Sequence, residues 1–536
     1  MFASLIKRLE STSILYLVTI LFALGFLIYA NTLVNGLFFD DEHFIYNNQA
    51  VTTFSLPDLF GHSLSTGAGQ LSNYYRPLLF TGFAFEYALF KDAGFIYHLN
   101  SMLLHIGATI GIFLILQKLF QNRFISLLTA LLFLIHPVQT EAVSYASGRG
   151  DPLSLFFSVI AIYLSLRRST RSYIFALFFF ICALLSKELA LITPGLLFLS
   201  HLFLEKTLSR KAFLKAFKKA LPFFAISIGY FILRITVLNF SNTLNFHQTE
   251  SIYTESLFVR LTTFFHLIPT YLSLLIFPKD LFMERDSLIA IQTTPTIASS
   301  LSFLSLLALA FFAFLKRNQY PILAFGLAWI GISFIPTSGI LPINGIFYEH
   351  FLYYPSIGFF VILSWLLWII LKKIPSLVQN LLLLLLFFLI LILSVRTIAR
   401  NSEWRNPIVF YEQTLSYAPS ARAYNNLAMA YAESNQLEKA VEKYRAAIQL
   451  VDAYPETRYN LGNVYVKTNN VKAAEHEYKE ALRIDPAFYY AYIQLMGIYT
   501  AREDTAGQAW IIQEVEKIVA VNPSFEPLLT SLKQQL

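Results

Sequence analysis

The chain of 536 residues is short of cysteine and short of charge. Its one cysteine, Cys182, lies in an apolar run, which excludes an intramolecular disulfide and with it a disulfide-stapled secreted domain. Asp, Glu, Lys and Arg together make up 14% of the residues, where soluble domains carry about 25%. That shortage excludes an ordinary water-soluble enzyme. HExxH and paired-cysteine signatures are also missing, so no metal site is assigned, and a divalent ion is not indicated by any pattern.

What the chain has instead is apolar mass. It is 56% hydrophobic with 52 phenylalanines, and these crowd into the first 395 positions. Up to Val395 there are 25 Lys/Arg against 17 Asp/Glu; beyond it there are 15 against 16. A lipid-embedded part is therefore joined to a nearly neutral, water-soluble tail. The basic excess belongs to loops at one membrane face, so no nucleic-acid partner is expected.

Apolar segments long enough to cross a bilayer recur at about 14–30, 97–117, 124–143, 152–166, 172–186, 189–204, 220–238, 297–315, 320–336, 351–371 and 377–395. This predicts eleven spans in an all-α membrane bundle. One set of loops holds seventeen Lys/Arg, including Lys7, Arg8, Lys118, Arg123, Arg167, Arg168 and the run from Lys206 to Lys219; the opposite loops hold seven. The first set is read as cytoplasmic, which puts the N-terminus inside and, after an odd number of spans, the tail outside. Residues 257–277 are apolar but contain Arg260, His266 and Pro269; they read as a re-entrant or interfacial helix on the outer side. Ile28 and Ala30 do not form a small-residue cleavage site, so 14–30 reads as a retained helix.

The tail repeats itself. Leu427, Leu461 and Leu495 are 34 residues apart, as are Tyr431, Tyr465 and Tyr499; Ala440/Ala474, Tyr444/Tyr478 and Ala447/Ala481 keep the interval. That is the tetratricopeptide (TPR) pattern, a helix–turn–helix that buries its face only by stacking on a neighbour. The expected organisation is a membrane domain over 1–395, a linker helix or half-repeat over 396–420, and about three repeats over 421–536, the third degenerate after Tyr499.

Polar residues gather at the outer ends of the spans. The first outer loop, 31–96, carries Asp40, Asp41, Glu42 and His43, then Arg76, and leads to His98. The second reads HPVQTEAVSYASGRGD over 136–151 and supplies His136, Glu141, Arg149 and Asp151. Lys187 and Glu188 form a short third, Arg234 lies near the end of another span, and Glu349 and His350 precede the tenth, followed by Tyr354. Any one of these alone reads as a buried ion pair or a snorkelling side chain. Together they read as the lining of one site. Arg149, Arg76, Lys187 and Arg234 suit a phosphate at headgroup level, and an outward carboxylate from Asp40 or Asp41 suits proton abstraction from a hydroxyl.

In order along the chain, FDDEHFIYNNQAV (39–51), YYRPL (74–78), HLNSMLLH (98–105), the 136–151 segment, SKE (186–188) and EHFLYYPSIG (349–358), followed by TPRs, resemble the transmembrane-and-TPR O-mannosyltransferases. The resemblance implies a GT-C glycosyltransferase fold with its site on the non-cytoplasmic face. It implies a polyprenyl-phosphate sugar, mannose in eukaryotic members, as donor substrate and a protein Ser/Thr hydroxyl as acceptor. It also implies catalysis by an acid of the first outer loop, here Asp41 or Asp40. The short, cysteine-poor chain suits a prokaryotic relative in a bacterial plasma membrane rather than an ER membrane. The expected reaction is inverting transfer from the lipid-linked donor, with the acceptor polypeptide held by the TPR array and membrane lipids around the spans. The alternatives are a membrane-anchored TPR scaffold and a transporter of lipid-linked sugar.

Overall fold

The computed structural model describes residues 2–63, 66–68, 73–205, 208–240, 251–283, 285–341, 343 and 345–534. Lys206 of the predicted basic run lies outside them. The described residues are helical with no strand, and the chain divides into two compact units, Met1–Asn406 and Pro407–Leu536.

The first unit is built from α1 (Ile14–Tyr29), α2 (Pro77–Phe90), α3 (Gly94–Phe120), α4 (Arg123–Ile135), α5 (Gly150–Ser165), α6 (Thr170–Leu184), α7 (Thr193–Phe203), α8 (Arg210–Ile235), α9 (Leu257–Ile276), α10 (Ile297–Leu315), α11 (Pro321–Phe334), α12 (Pro355–Lys373) and α13 (Ser376–Glu403). Side-chain oxygens of Ser13, Asn122, Ser169, Ser209 and Thr296 accept the free amides at the starts of α1, α4, α6, α8 and α10. Small residues let helices approach closely where apolar surface alone gives no preference in lipid. A Cβ on Gly358 of α12 would stand 2.5 Å from the Gly326 carbonyl oxygen of α11, so the two backbones touch there.

Each predicted span is helical, but the count of eleven is not met by length. Seven helices among the described residues are long and apolar enough to cross a membrane, or eight if the pair Arg123–Ile135 and Pro137–Ser144, bent by 54°, is one span. The reason is geometric. Helices such as α6, with 15 residues, reach only about 22 Å at 1.5 Å per residue, and the hydrocarbon core is about 30 Å thick. One of the seven is α9, which reads from its sequence as re-entrant or interfacial. Its contacts at three levels are with segments at one end of the bundle. Arg260 Nε donates to the Gly339 carbonyl (2.6 Å), His266 Nδ1 hydrogen-bonds Thr296 Oγ1 ahead of α10 (2.9 Å), and the Leu275 carbonyl accepts from His136 (3.2 Å).

The two ends of this unit differ in chemistry. At one, Lys118 and Arg167 cover the Tyr163 ring, Arg123 donates to the Leu9 carbonyl (2.6 Å), and the Leu208 amide donates to Asn318 (3.0 Å). The other holds the acids and paired cations described below.

The second unit consists of Pro407–Tyr417, the hairpins Ala421–Glu433/Leu437–Leu450, Pro455–Lys467/Val471–Ile484 and Tyr489–Ala501/Thr505–Val521, and Glu526–Lys533. The 34-residue pattern is its core: Leu427, Leu461 and Leu495 are buried, as are Tyr431, Tyr465 and Tyr499. Every hairpin turns on a left-handed residue at the same interval, Asn435, Asn469 and Glu503, a conformation asparagine tolerates well. The third repeat loses the Ala and Tyr signature in sequence yet keeps its second helix, burying Ile511 and Val515 instead.

Candidate functional site

The segment from His136 to Asp151 organises the polar end of the first unit. Between α4 and α5 it breaks into short turns, and its polar side chains reach different elements. His136 Nε2 donates to the Leu275 carbonyl of α9 (3.2 Å), Gln139 donates to Ser356 of α12 (3.0 Å), and Glu141 accepts from His350 (2.6 Å to Nδ1). Ser144 donates to Asn401 of α13 (2.8 Å), and Ser147 donates to Asp41 of the first loop. Arg149 pairs with Glu86 of α2 (2.6 Å), and Asp151 pairs with Lys187 (2.7 Å). Two glycines permit this. A Cβ on Gly148 would lie 2.6 Å from the Glu141 carbonyl, and one on Gly150 would press on the Lys187 stem at 3.3 Å.

The acid pair is held on one side of this segment. Asp41 is 1% exposed, and its Oδ1 accepts from the Ser147 amide (2.7 Å) and hydroxyl (2.5 Å). Its pKa is pushed up to about 7, first by burial and further by the Asp40 charge, against the downward pull of the Ser147 hydrogen bonds. Asp40 is half-buried and lies beside Tyr145. Phe39, just before it, has φ +62°. A bulky residue in the left-handed region costs on the order of 1–3 kcal/mol and persists only where its surroundings fix it. Here those surroundings are aromatic: Phe39 meets Tyr145, which stacks on Trp404, which in turn meets Phe38. His43 packs on Phe44.

On the other side lies a group of cations. Arg76 Nε bonds Glu188 (3.0 Å) and its guanidinium covers Tyr74; Lys187 Nζ bonds Asp151. Arg234 donates to the Asn73 and Leu238 carbonyls and covers Tyr75. Three cations face two carboxylates, which leaves a net charge of +1. The side chains of Arg76 and Lys187 are 16% and 15% exposed, so both can be approached. Ser147 and Asp151, which hold the acid side and the cation side, are four residues apart in the chain.

The remaining predicted residues divide between structure and a third cluster. Arg149 is 3% exposed and spends its guanidinium on Glu86, Ser101 Oγ (3.0 Å) and the Tyr97 carbonyl (2.6 Å). His98 donates to the Gly36 carbonyl (3.3 Å), and the Tyr354 hydroxyl shares a hydrogen bond with Ser154 (3.0 Å). These side chains brace the fold around the site. Glu349, buried beside Arg400 (3.7 Å), has its pKa raised chiefly by burial, and Arg400 also pairs with Glu403. Arg400, Asn401, Glu403 and Trp404 were not singled out in the sequence, because the apolar run stops at Val395 while α13 continues to Glu403. The two compact units meet at 406/407, within the stretch 396–420 expected as a linker, and the polar end of α13 lies in the first unit. Among the described residues, no group of three or more His, Cys, Asp or Glu side chains is placed to hold a metal ion.

Residues 428–469 match a TPR repeat model and residues 455–488 a tetratricopeptide repeat model. The chain is 27% identical to a protein O-mannosyl-transferase of Caenorhabditis elegans, covering 82% of this chain and 63% of that protein. It is 27% identical to protein O-mannosyl-transferase TMTC3 of Homo sapiens, covering 78% and 50%, and 26% identical to tmtc2 of Xenopus laevis, covering 80% and 61%. The chain thus spans about half to three-fifths of the length of the curated relatives it matches. Among solved structures, ArnT from Cupriavidus metallidurans bound to undecaprenyl phosphate aligns over 90% of this chain and 80% of its own, at 12% identity and a TM-score of 0.38. At that score the likeness is too distant to place residues.

Proposed function

We propose that this chain is a membrane glycosyltransferase of GT-C type that moves a sugar, mannose on the strength of its relatives, from a polyprenyl-phosphate donor to a hydroxyl of an acceptor polypeptide. The observation that carries this reading is similarity to protein O-mannosyl-transferases across about four-fifths of the chain, and the polar end of the first unit supplies the chemistry. Asp41 takes the proton of the acceptor hydroxyl as that oxygen forms a bond to the anomeric carbon. The bond from that carbon to the phosphate oxygen breaks with inversion, and the electron pair leaves on the lipid phosphate. Arg76 and Lys187 stabilise the phosphate, exchanging part of their carboxylate contact for it. Asp40 raises the basicity of its neighbour by its charge. The TPR unit binds the acceptor polypeptide, as such arrays commonly do.

The test is transfer of radiolabelled mannose from dolichyl- or undecaprenyl-phosphate mannose to a Ser/Thr-rich peptide by the purified full chain. Asp41→Asn is expected to lower kcat at least a hundredfold, within the range for a general base. Asp40→Asn should retain more activity. Because the ionised form is the base, kcat/KM should rise with pH through about 7. In Asp40→Asn that limb should move to lower pH, as the repelling charge is gone. Wild-type rates in both variants would sink the assignment of the base. A scaffold or a transporter would give no transfer in detergent.

A further inference from the structure

The polar end of α13 grips the acid loop from both sides. Asn401 is completely buried. Its side-chain oxygen accepts from Ser144 (2.8 Å), its amide donates to the Ile28 carbonyl (2.9 Å) and Asn31 (3.0 Å), and its own carbonyl accepts from Asn35 (3.0 Å). One turn on, the Trp404 ring stacks on Tyr145 at 5.2 Å and 21° and meets Phe38 at 6.4 Å. The Arg405 carbonyl accepts the Gly36 amide (3.0 Å). Residues 35–38 lead into Asp40 and Asp41, while residues 144–147 end on the serine that holds Asp41. The same helix end therefore ties down both legs of the acid loop, and between them sits Phe39 in its left-handed conformation.

We propose that Asn401 and Trp404 are positioning residues for the carboxylate pair: they set the separation between the leg that carries Asp40 and Asp41 and the leg that carries Ser147. This rests on the assignment of that pair as the base. Ordinary helix packing would ask only for apolar surface here. Instead one asparagine bonds three separate segments, and one indole bridges the aromatic residues on either side of the loop. Each acts through Ser144, Tyr145 or the 35–38 leg. A loop released by their loss would let Asp41 leave its dry setting, where Asp40, Tyr46 and Tyr145 are the titratable groups that face it.

The test compares Trp404→Leu and Trp404→Phe in the full-length protein, with kcat, donor KM and the pH profile measured on the monodisperse fraction. Trp404→Leu is expected to lower kcat about tenfold, in line with the sensitivity of catalysis to small misplacements. Donor KM should stay within about twofold, because Arg76 and Lys187 are undisturbed. The acidic limb should move to lower pH, and Trp404→Phe, which keeps a ring on Tyr145, should recover most of the loss. A folded Trp404→Leu with wild-type kcat and an unmoved limb overturns the proposal. So does a loss of kcat with no change in the limb and no rescue by Phe, which is what mere destabilisation gives. If Trp404→Leu does not fold, Tyr145→Leu makes the same comparison from the other side of the stack, and a wild-type profile there overturns it equally. Asp40→Asn and Asp41→Asn are run alongside. Full activity in both removes the base assignment and this inference together, whereas an inactive Asp41→Asn beside an unaffected Trp404→Leu removes this inference alone.

Discussion

Arg149 gives its guanidinium to Glu86, Ser101 and the Tyr97 carbonyl in a setting closed to solvent, while Arg76 shares one carboxylate and keeps part of its side chain open. Removing Arg149 leaves Glu86 as a buried, unpaired charge, which typically costs about 3–5 kcal/mol. Arg149→Ala should therefore appear as a large drop in thermal unfolding temperature in detergent, and Arg149→Ala/Glu86→Gln should recover part of it. Arg76→Ala should cost less stability than Arg149→Ala, because its ion pair is partly solvated. Its effect belongs in catalysis, as a lower kcat with a several-fold higher donor KM. The sequence named both residues as candidate phosphate ligands by charge and position, and nothing in it could separate them. Glu86 lies 63 positions from Arg149, and burial is a property of packed neighbours. The acid pair was more legible, since adjacent carboxylates at a membrane face are costly in themselves. Which of the two is dry was hidden in Ser147.

At the scale of an element, the 136–151 segment was readable as a motif, but its work was not. It reads as a polar loop between two apolar runs. In the structure it bonds α2, α9, α12, α13, the first loop and Lys187, so its polar residues serve as fasteners for distant parts of the chain. Gly148 tests this. A methyl group there would meet backbone at 2.6 Å with no side chain able to give way, and overpacking of this kind costs about 1–3 kcal/mol. Gly148→Ala should lower the unfolding temperature and reduce activity together. Gly82→Ala is the control, because nothing stands within 4 Å of its Cβ position and α2 is helical there. That change should be neutral or slightly stabilising. The end of α13 escaped sequence reading for a related reason. Hydropathy stops at Val395, yet the helix persists for eight residues because its polar face is bonded inside the unit rather than exposed. The TPR hairpins are the opposite case: each needs only its neighbours, so a local 34-residue period suffices to specify them, including the third, where Ile511 and Val515 replace the lost signature.

For the whole molecule, the separation of the two ends gives an orientation that can be measured. Basic side chains cluster where Lys118 and Arg167 share Tyr163, and the acid loop with its paired cations lies at the opposite end of α3, α4 and α5. Basic loops stay on the cytoplasmic side because translocating them is unfavourable, so the acid loop is expected to face outward. The single native cysteine makes the experiment direct. On a Cys182→Ser background, Asp58→Cys places a thiol on an exposed position of the first loop, Arg168→Cys places one at the basic end, and Lys517→Cys reports the TPR unit. An impermeant maleimide added to intact cells or sealed vesicles of known orientation should label position 58 and position 517, and position 168 only after permeabilisation. Labelling of 58 and 168 from the same side would mean that the helices between them do not cross as the charge pattern of the loops indicates. Labelling of 58 without 517 would mean an odd number of crossings between the two positions, and α9, which is long and apolar enough to cross, is then the first helix to map by thiols at its two ends. The position of α9 against Gly339, Thr296 and His136 argues for the first pattern, because a helix anchored at both termini and its middle to one end of the bundle adds no crossing.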